Sequence, residues 1–238
     1  MQYLIFQLQG TMASWGEAAV GEYRGTVDTP TASAISGLLC AALGVRREQE
    51  AAIQAVHNGY RMAVGVYAMG PVLRDYHTAQ VASRSMLKGT RHATRKDELN
   101  FRRTELPTIL STRDYFQGVD YLVAMEAAEQ APHPLEDLRA ALMNPVFVPY
   151  LGRKACPLEV PMAPQLLDAD NVMEAMTQYP RGALGLPEAP IKQLVWSDGM
   201  TPGVPLTLST KQRDRLIHRG AWQYGERTQH VAMLQQGG

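Results

Sequence analysis

Along the chain the spacing of apolar side chains switches between two periods. From Gln2 to Gln9 the residues Leu4, Phe6 and Leu8 fall on one face at period two, and the run stops at Gly10, which predicts a strand. A Gly-rich loop extends to Thr31. From Ser33 to Leu43 the spacing becomes helical, with Ile35, Leu38, Leu39 and Ala42 on one side and Thr31 or Ser33 available as N-cap. A second helical run, Glu48 to His57, ends at Asn58-Gly59. Alternation returns from Tyr60 to Tyr67, and Val72 to Thr78 is expected to pair with that strand across the Gly70-Pro71 turn. Ile109 to Phe116 and Tyr121 to Met125 predict strands on either side of Gly118. Pro134 to Met143 predicts a short helix with Leu135, Leu138 and Leu142 on one side. Strand, helices, strands, helix, strand is the order of a ferredoxin-like α+β domain.

Two stretches break this pattern. Residues 79–106 are polar and lie between strand-like runs, so they read as an arm projecting from the sheet. Between Glu159 and Leu206 seven prolines forbid long regular elements, leaving Ile191 to Trp196 and Val204 to Ser209 as strands around the Asp198-Gly199 turn. The expected organisation is a domain over 1–157 carrying the arm, with a smaller Pro-rich, β-containing appendage over 158–238 packed on it.

Composition changes this picture little until charge is located. At 238 residues and 45% apolar the chain can bury a substantial core. Two cysteines, Cys40 and Cys156, make neither a disulfide framework nor a metal cluster and point to a reducing cytoplasm. No apolar run approaches the ~20 residues that span a bilayer, and Met1 to Leu8 lacks a basic leader, so a soluble, unexported protein without membrane contact is expected. The 23 basic and 23 acidic residues cancel overall, but residues 84–103 carry seven cations against Asp97 and Glu98, a local +5 suited to an anionic strand. Lys211, Arg213, Arg215 and Arg219, with Asp214 among them, read as a solvated polar face.

Candidate chemistry follows. No phosphate-binding loop, dinucleotide fingerprint or nucleophile elbow is present, and none of the six histidines pairs at zinc spacing, so neither metal nor cofactor is implied. Residues 149–157, Pro-Tyr-Leu-Gly-Arg-Lys-Ala-Cys-Pro, place Tyr150, Arg153 and Lys154 in a loop bounded by prolines, an aromatic and two cations able to converge on a nucleotide strand. Thr31, Ser33 and Ser36 open the first helix, whose amides suit a phosphate. Met86-Leu87 beside Lys88-Gly89 form an apolar arm tip with a cation behind it, the form of a base-unstacking wedge. His77, His92 and Tyr76, with Lys88 or Lys154, are residue types that acid–base cleavage at a ribose 2′-hydroxyl requires. Trp15, in a Gly-flanked loop, suits either a stacked base or a buried position.

Four segments in order, Gly10-Thr11-Met12-Ala13-Ser14-Trp15-Gly16, Pro30 to Leu39, Leu73-Arg74-Asp75-Tyr76-His77-Thr78 and Thr108 to Tyr115, followed by the 149–157 loop, resemble the CasD family of type I-E CRISPR Cascade subunits. The resemblance covers about the first two thirds of the chain. It implies a ferredoxin-like (RRM-like, RAMP) domain with a projecting thumb at about 79–106, a stretch longer and more basic here than the family leads one to expect. It implies a non-catalytic protein that holds the 5′ handle of CRISPR RNA and caps one end of an antiviral ribonucleoprotein. Its partners would be the backbone subunit and the large DNA-recognition subunit, with target DNA reached only through the complex. By the same resemblance Arg113, Tyr150 and Arg153 face the handle, and Arg74, His77, Lys88, Arg91, Lys154 and Ser33 complete the candidate RNA-binding set. Relatives in other subtypes process repeat RNA, so a metal-independent endoribonuclease is the alternative.

Overall fold

A computed structural model describes residues 1–16, 19, 21–187 and 189–234. Glu17, Ala18 and Val20 of the Gly-rich loop lie outside the described residues. In chain order the elements are β1 (Gln2–Ala13), β2 (Trp15–Gly16), β3 (Tyr23–Arg24), β4 (Thr26–Val27), α1 (Ala32–Leu43), α2 (Glu50–Asn58), β5 (Tyr60–Ala68), β6 (Val72–Gln80), α3 (Arg84–Leu87), α4 (Arg95–Glu98), β7 (Thr108–Ala127), α5 (Leu135–Met143), β8 (Gln165–Asp168), α6 (Val172–Gln178), β9 (Gln193–Ser197), β10 (Leu208–His218) and β11 (Gln223–Met233). One sheet runs in the order β10-β11-β9-β5-β7-β1-β8, with every neighbouring pair on this path antiparallel. It is a mixed α/β architecture built on a large antiparallel sheet.

The expected period-two face of β1 is present, but the opposite face is buried too. Leu4, Phe6 and Leu8 pack with α1, α2 and α5, while Tyr3 and Ile5 enter a second cluster with Val172, Ala175 and Met176 of α6. Two apolar layers therefore flank the central strands. The 1–157 and 158–238 segments share this sheet, since β8 pairs with β1 and β9 pairs with β5.

The expected hairpin between Tyr60–Tyr67 and Val72–Thr78 does not form. Both strands pair instead with β7, β5 along Asp120–Ala127 and β6 along Thr108–Phe116. The physical reason lies at the junction: Gly70 N–H donates to Gln117 O at 2.8 Å and Gln117 N–H donates to Pro71 O at 3.2 Å, so the chain continues along β7 rather than folding back. Gly118, with φ +54°, lets β7 run through as one strand of 20 residues where two were expected.

The arm holds two short helices. Ser83 caps α3, and Thr94 with Asp97 forms a capping box on α4. Val81 N–H to Pro107 O, 3.0 Å, closes its base.

In the last third the strand expected at Val204–Ser209 starts only at Leu208 and runs to His218. Along it just Asp214 and Leu216 are buried, so no apolar alternation marks it. The hairpin of β10 and β11 is latched to the helices. Asp214, held by Arg227 at 2.6 and 2.9 Å, accepts from the Ala32 amide at the start of α1 at 2.6 Å. Leu216 N–H donates to His57 Nε2 at 2.9 Å, and Gln54 donates to Leu216 O at 3.1 Å. With Nε2 accepting, the His57 proton sits on Nδ1 and faces Ser36 Oγ at 3.0 Å.

Burial pushes the His57 pKa below its ordinary 6.5. A folded pKa below the unfolded one means that the unfolded chain binds more protons. The latch therefore contributes fully above pH 6.5, and its contribution is lost as pH falls from 6.5 through the folded value. Melting temperature is expected to drop over that window in the parent chain, with this component missing in His57→Gln. Thermal melts from pH 8 to pH 5 read the difference.

Candidate nucleic-acid interface

The loop at 149–157 is pinned at both ends. Tyr150 and Pro157 form an isolated β-bridge, and Leu151 N–H donates to Cys156 O at 2.8 Å. Ser14 N–H donates to Leu151 O at 3.1 Å, drawing the loop against the end of β1. Gly152 has φ +82°, and a Cβ there would run into Ser14 O, so this close approach requires glycine. Arg153 is a clamp. Its Nη1 donates to Asp114 O at 3.1 Å, its Nη2 to Arg24 O at 2.9 Å, and its guanidinium lies 4.8 Å from the Tyr115 ring centroid.

Asp114, buried in β7, is the anchor of the neighbouring cluster. Arg74 of β6 grips it bidentately at 2.8 and 3.0 Å, and the Tyr23 hydroxyl donates to the same carboxylate. The Arg74 bond, above all, holds the Asp114 carboxyl below the usual range. The same contact with Asp114 raises the Tyr23 phenol. Arg74 itself remains largely exposed, as a doubly bonded cation at the surface.

Beyond the loop lies a groove of about 2000 Å³ between α1, the α1–α2 connection, residues 147–157 and the β10–β11 hairpin. Among the described residues its walls carry Arg24, Arg46, Arg47, Lys154, Arg213 and Arg219 against the carboxylate Glu48, and the aromatics Phe147, Tyr150, Trp222 and Tyr224. Six cations interleaved with four rings suit a single-stranded polyanion with stacked bases.

Of the candidate set, the structure brings Ser33, Tyr150 and Lys154 together in this groove. Arg153 stands behind them as their support. The helix start near Ser33 differs from expectation: two of its amides are already engaged, Ala32 by the Asp214 carboxylate and Ala34 by Thr31 Oγ1 at 3.2 Å. A carboxylate supplied from β10 occupies the position that a phosphate was expected to take.

The others lie elsewhere. On the β6–β7 ladder Arg74 pairs with Asp114, whereas His77 lies opposite Ser111 and Asp75 opposite Arg113. Side chains alternate across a strand, so Arg113 and His77 share one face and Arg74 lies on the other. Half-buried Arg113 donates from Nε to Ser111 Oγ at 3.2 Å, and exposed His77 sits 4.0 Å from Asp75. Lys88 and Arg91 are exposed on the arm. Trp15 takes the buried position, edge-on to Tyr121 at 5.8 Å. Arg213, Arg219 and Trp222 are groove residues that sequence reasoning missed, because a charged hairpin distant in sequence forms that wall. Among the described residues no three His, Cys, Asp or Glu side chains are grouped to hold a metal ion.

A family model described as CRISPR-associated protein (Cas_Cas5) matches residues 3–230. The chain is 31% identical over 187 residues, 74% of its length and 76% of the relative's, to the "CRISPR system Cascade subunit CasD" of Escherichia coli (strain K12). It resembles a chain of a structure described as "CRISPR RNA-guided surveillance complex" with TM-score 0.67 and 24% identity, covering 98% of this chain and 89% of that one. A structure described as "Crystal structure of Cas protein" gives TM-score 0.63 at 24% identity, covering 98% and 94%. At these identities the two structures establish likeness of fold.

Proposed function

The chain belongs to the Cas5 family of CRISPR-associated proteins, and we propose that it is the Cascade subunit that binds the 5′ handle of CRISPR RNA and caps one end of the complex. The groove carries this reading. A cleft lined by six cations and four aromatic rings offers phosphate contacts and stacking surfaces, which single-stranded RNA recognition needs. Arg153 positions the Tyr150–Lys154 wall. The exposed arm, with Lys88 and Arg91, and the face bearing Arg113 and His77 extend a basic surface beyond the groove, toward the backbone subunit and the large DNA-recognition subunit.

In this reading residues 1–157 form a ferredoxin-like RNA-binding unit whose fourth strand, β8, is supplied by the segment that follows. The order β8-β1-β7-β5, with α1 after β1 and α5 after β7, supports it. Residues 158–238 add the outer strands that complete the groove. The subunit works in the cytoplasm in antiviral defence and reaches target DNA only through the complex. Its role is to hold RNA rather than cut it: His77, the residue best suited to acid–base work, lies on the exposed β6 ladder outside the groove.

The test is to recover the tagged protein from its native host at moderate salt, sequence the 5′ ends of the bound RNA and identify the bound proteins. Guide RNAs sharing one 5′ sequence within a multi-subunit complex are the expected result, and repeat RNA incubated with the purified protein and chelator stays intact. Absence of enriched RNA overturns the reading, and cleavage of repeat RNA would replace it with the nuclease.

A further inference from the structure

Trp222 sits in the turn between β10 and β11 in a conformation that few side chains adopt. Its φ is +53°, and its side chain is 60% exposed on the groove wall. Strained backbone persists only where its surroundings over-determine it. Here Glu50 accepts from the amides of Arg219 at 2.8 Å and Gly220 at 3.2 Å, and Trp222 N–H donates to Arg219 O at 3.1 Å. Contacts reaching from α2 thus hold an indole out toward solvent, where burial would have been the lower-energy arrangement for so large an apolar surface.

Two cations attend the ring. Arg219 lies 3.8 Å from its centroid, in stacking contact, while Arg47 lies 5.9 Å away, beyond contact but within the range of cation–π attraction. An exposed ring backed by one guanidinium, with a second cation beside it on the groove wall, has the composition of a base-plus-phosphate subsite.

We infer that Trp222 is a base-stacking platform for one nucleotide of single-stranded RNA in the groove, with Arg219 and Arg47 holding its phosphate. The inference rests on the RNA-binding reading and adds to it a specific subsite on the C-terminal hairpin, opposite the Tyr150–Lys154 wall. The platform is sequence-tolerant, because every base has a π-face.

The chain has three tryptophans, and Trp15 and Trp196 are 1% and 5% exposed, so the solvent-accessible indole emission comes from Trp222. The full chain is titrated with a single-stranded RNA carrying the 5′ sequence recovered from the native complex, following both emission and RNA anisotropy. RNA is expected to quench the iodide-accessible emission. Trp222→Phe should bind within about twofold of the parent but without the quench, and Trp222→Ala should bind about 10- to 100-fold more weakly. Melting of Trp222→Ala at the parent temperature shows that its loss is not unfolding. RNA that binds with emission and Trp222→Ala affinity unchanged overturns the platform and leaves the ring to a protein contact, while the RNA-binding reading stands. RNA that fails to bind the folded parent chain removes that reading, and the platform with it.

Discussion

Arg181→Ala is expected to destabilise the fold by about 3–5 kcal/mol, the cost of stranding a buried partner charge. Arg181 follows α6 and reaches back to the centre of the sheet, where Nη1 and Nη2 meet the two oxygens of Asp120 at 3.2 and 2.5 Å. Its guanidinium lies 3.7 Å from the Tyr67 ring centroid, and the two side chains of the pair are only 7% and 9% exposed. Removing the arginine leaves a carboxylate on β7 with water excluded around it. Asp120→Leu with Arg181→Leu together should recover most of the loss, because neither charge then needs desolvation. Denaturant unfolding of the parent, the single variants and the double variant measures each arm. The single-variant cost should also persist at high salt, since buried pairs are little screened. A single-variant cost below about 1 kcal/mol, the range of exposed pairs, would contradict this account.

Reversing two groove charges, Lys154→Glu with Arg213→Glu, is expected to reduce guide-RNA affinity by at least about 25-fold near 0.1 M salt. Each lost single-strand phosphate contact removes about 0.7 from the slope of log affinity against log salt, so two lower it by about 1.4. The residues stand on different walls, one in the 149–157 loop and one on β10, and neither makes an ion pair among the described residues. Lys211→Glu supplies the comparison. Lys211 lies on the same strand outside the groove, bonded to Thr228 Oγ1 at 3.2 Å, and its reversal should leave affinity within about twofold. Affinity measured from 50 mM to 500 mM salt separates the outcomes. Equal losses in Lys211→Glu and the groove variant would assign the effect to net charge rather than to the groove.

The parts of this molecule legible in sequence are those set by near neighbours. The apolar period along Gln2–Gln9, Ser33–Leu43, Tyr60–Tyr67 and Pro134–Met143 marks β1, α1, β5 and α5, because one face of each must enter a core. The proline-bounded run at 149–157 likewise marks a fixed loop, and its Tyr150 and Lys154 do face a groove. What the sequence withholds is partner choice. Nothing local distinguishes β6 pairing with β5 from β6 continuing along β7; that choice is made at Gly70, Pro71 and Gln117.

Strand β10 is hidden for a different reason. Its inward positions are Asp214 and Leu216, one charged and one apolar, so its pattern looks like a solvated surface. Only in the fold does Asp214 meet Arg227 and the first amide of α1, 182 residues away in sequence, carrying Arg213, Arg219 and Trp222 to the wall facing Tyr150. Local sequence carried the family, the element types around the central strands, the basic arm and one wall of the groove. The second wall, the two-sided burial of the sheet and the internal use of Arg153 were decided by tertiary structure, because they depend on which distant surfaces close against each other, and apolar periodicity carries no record of that.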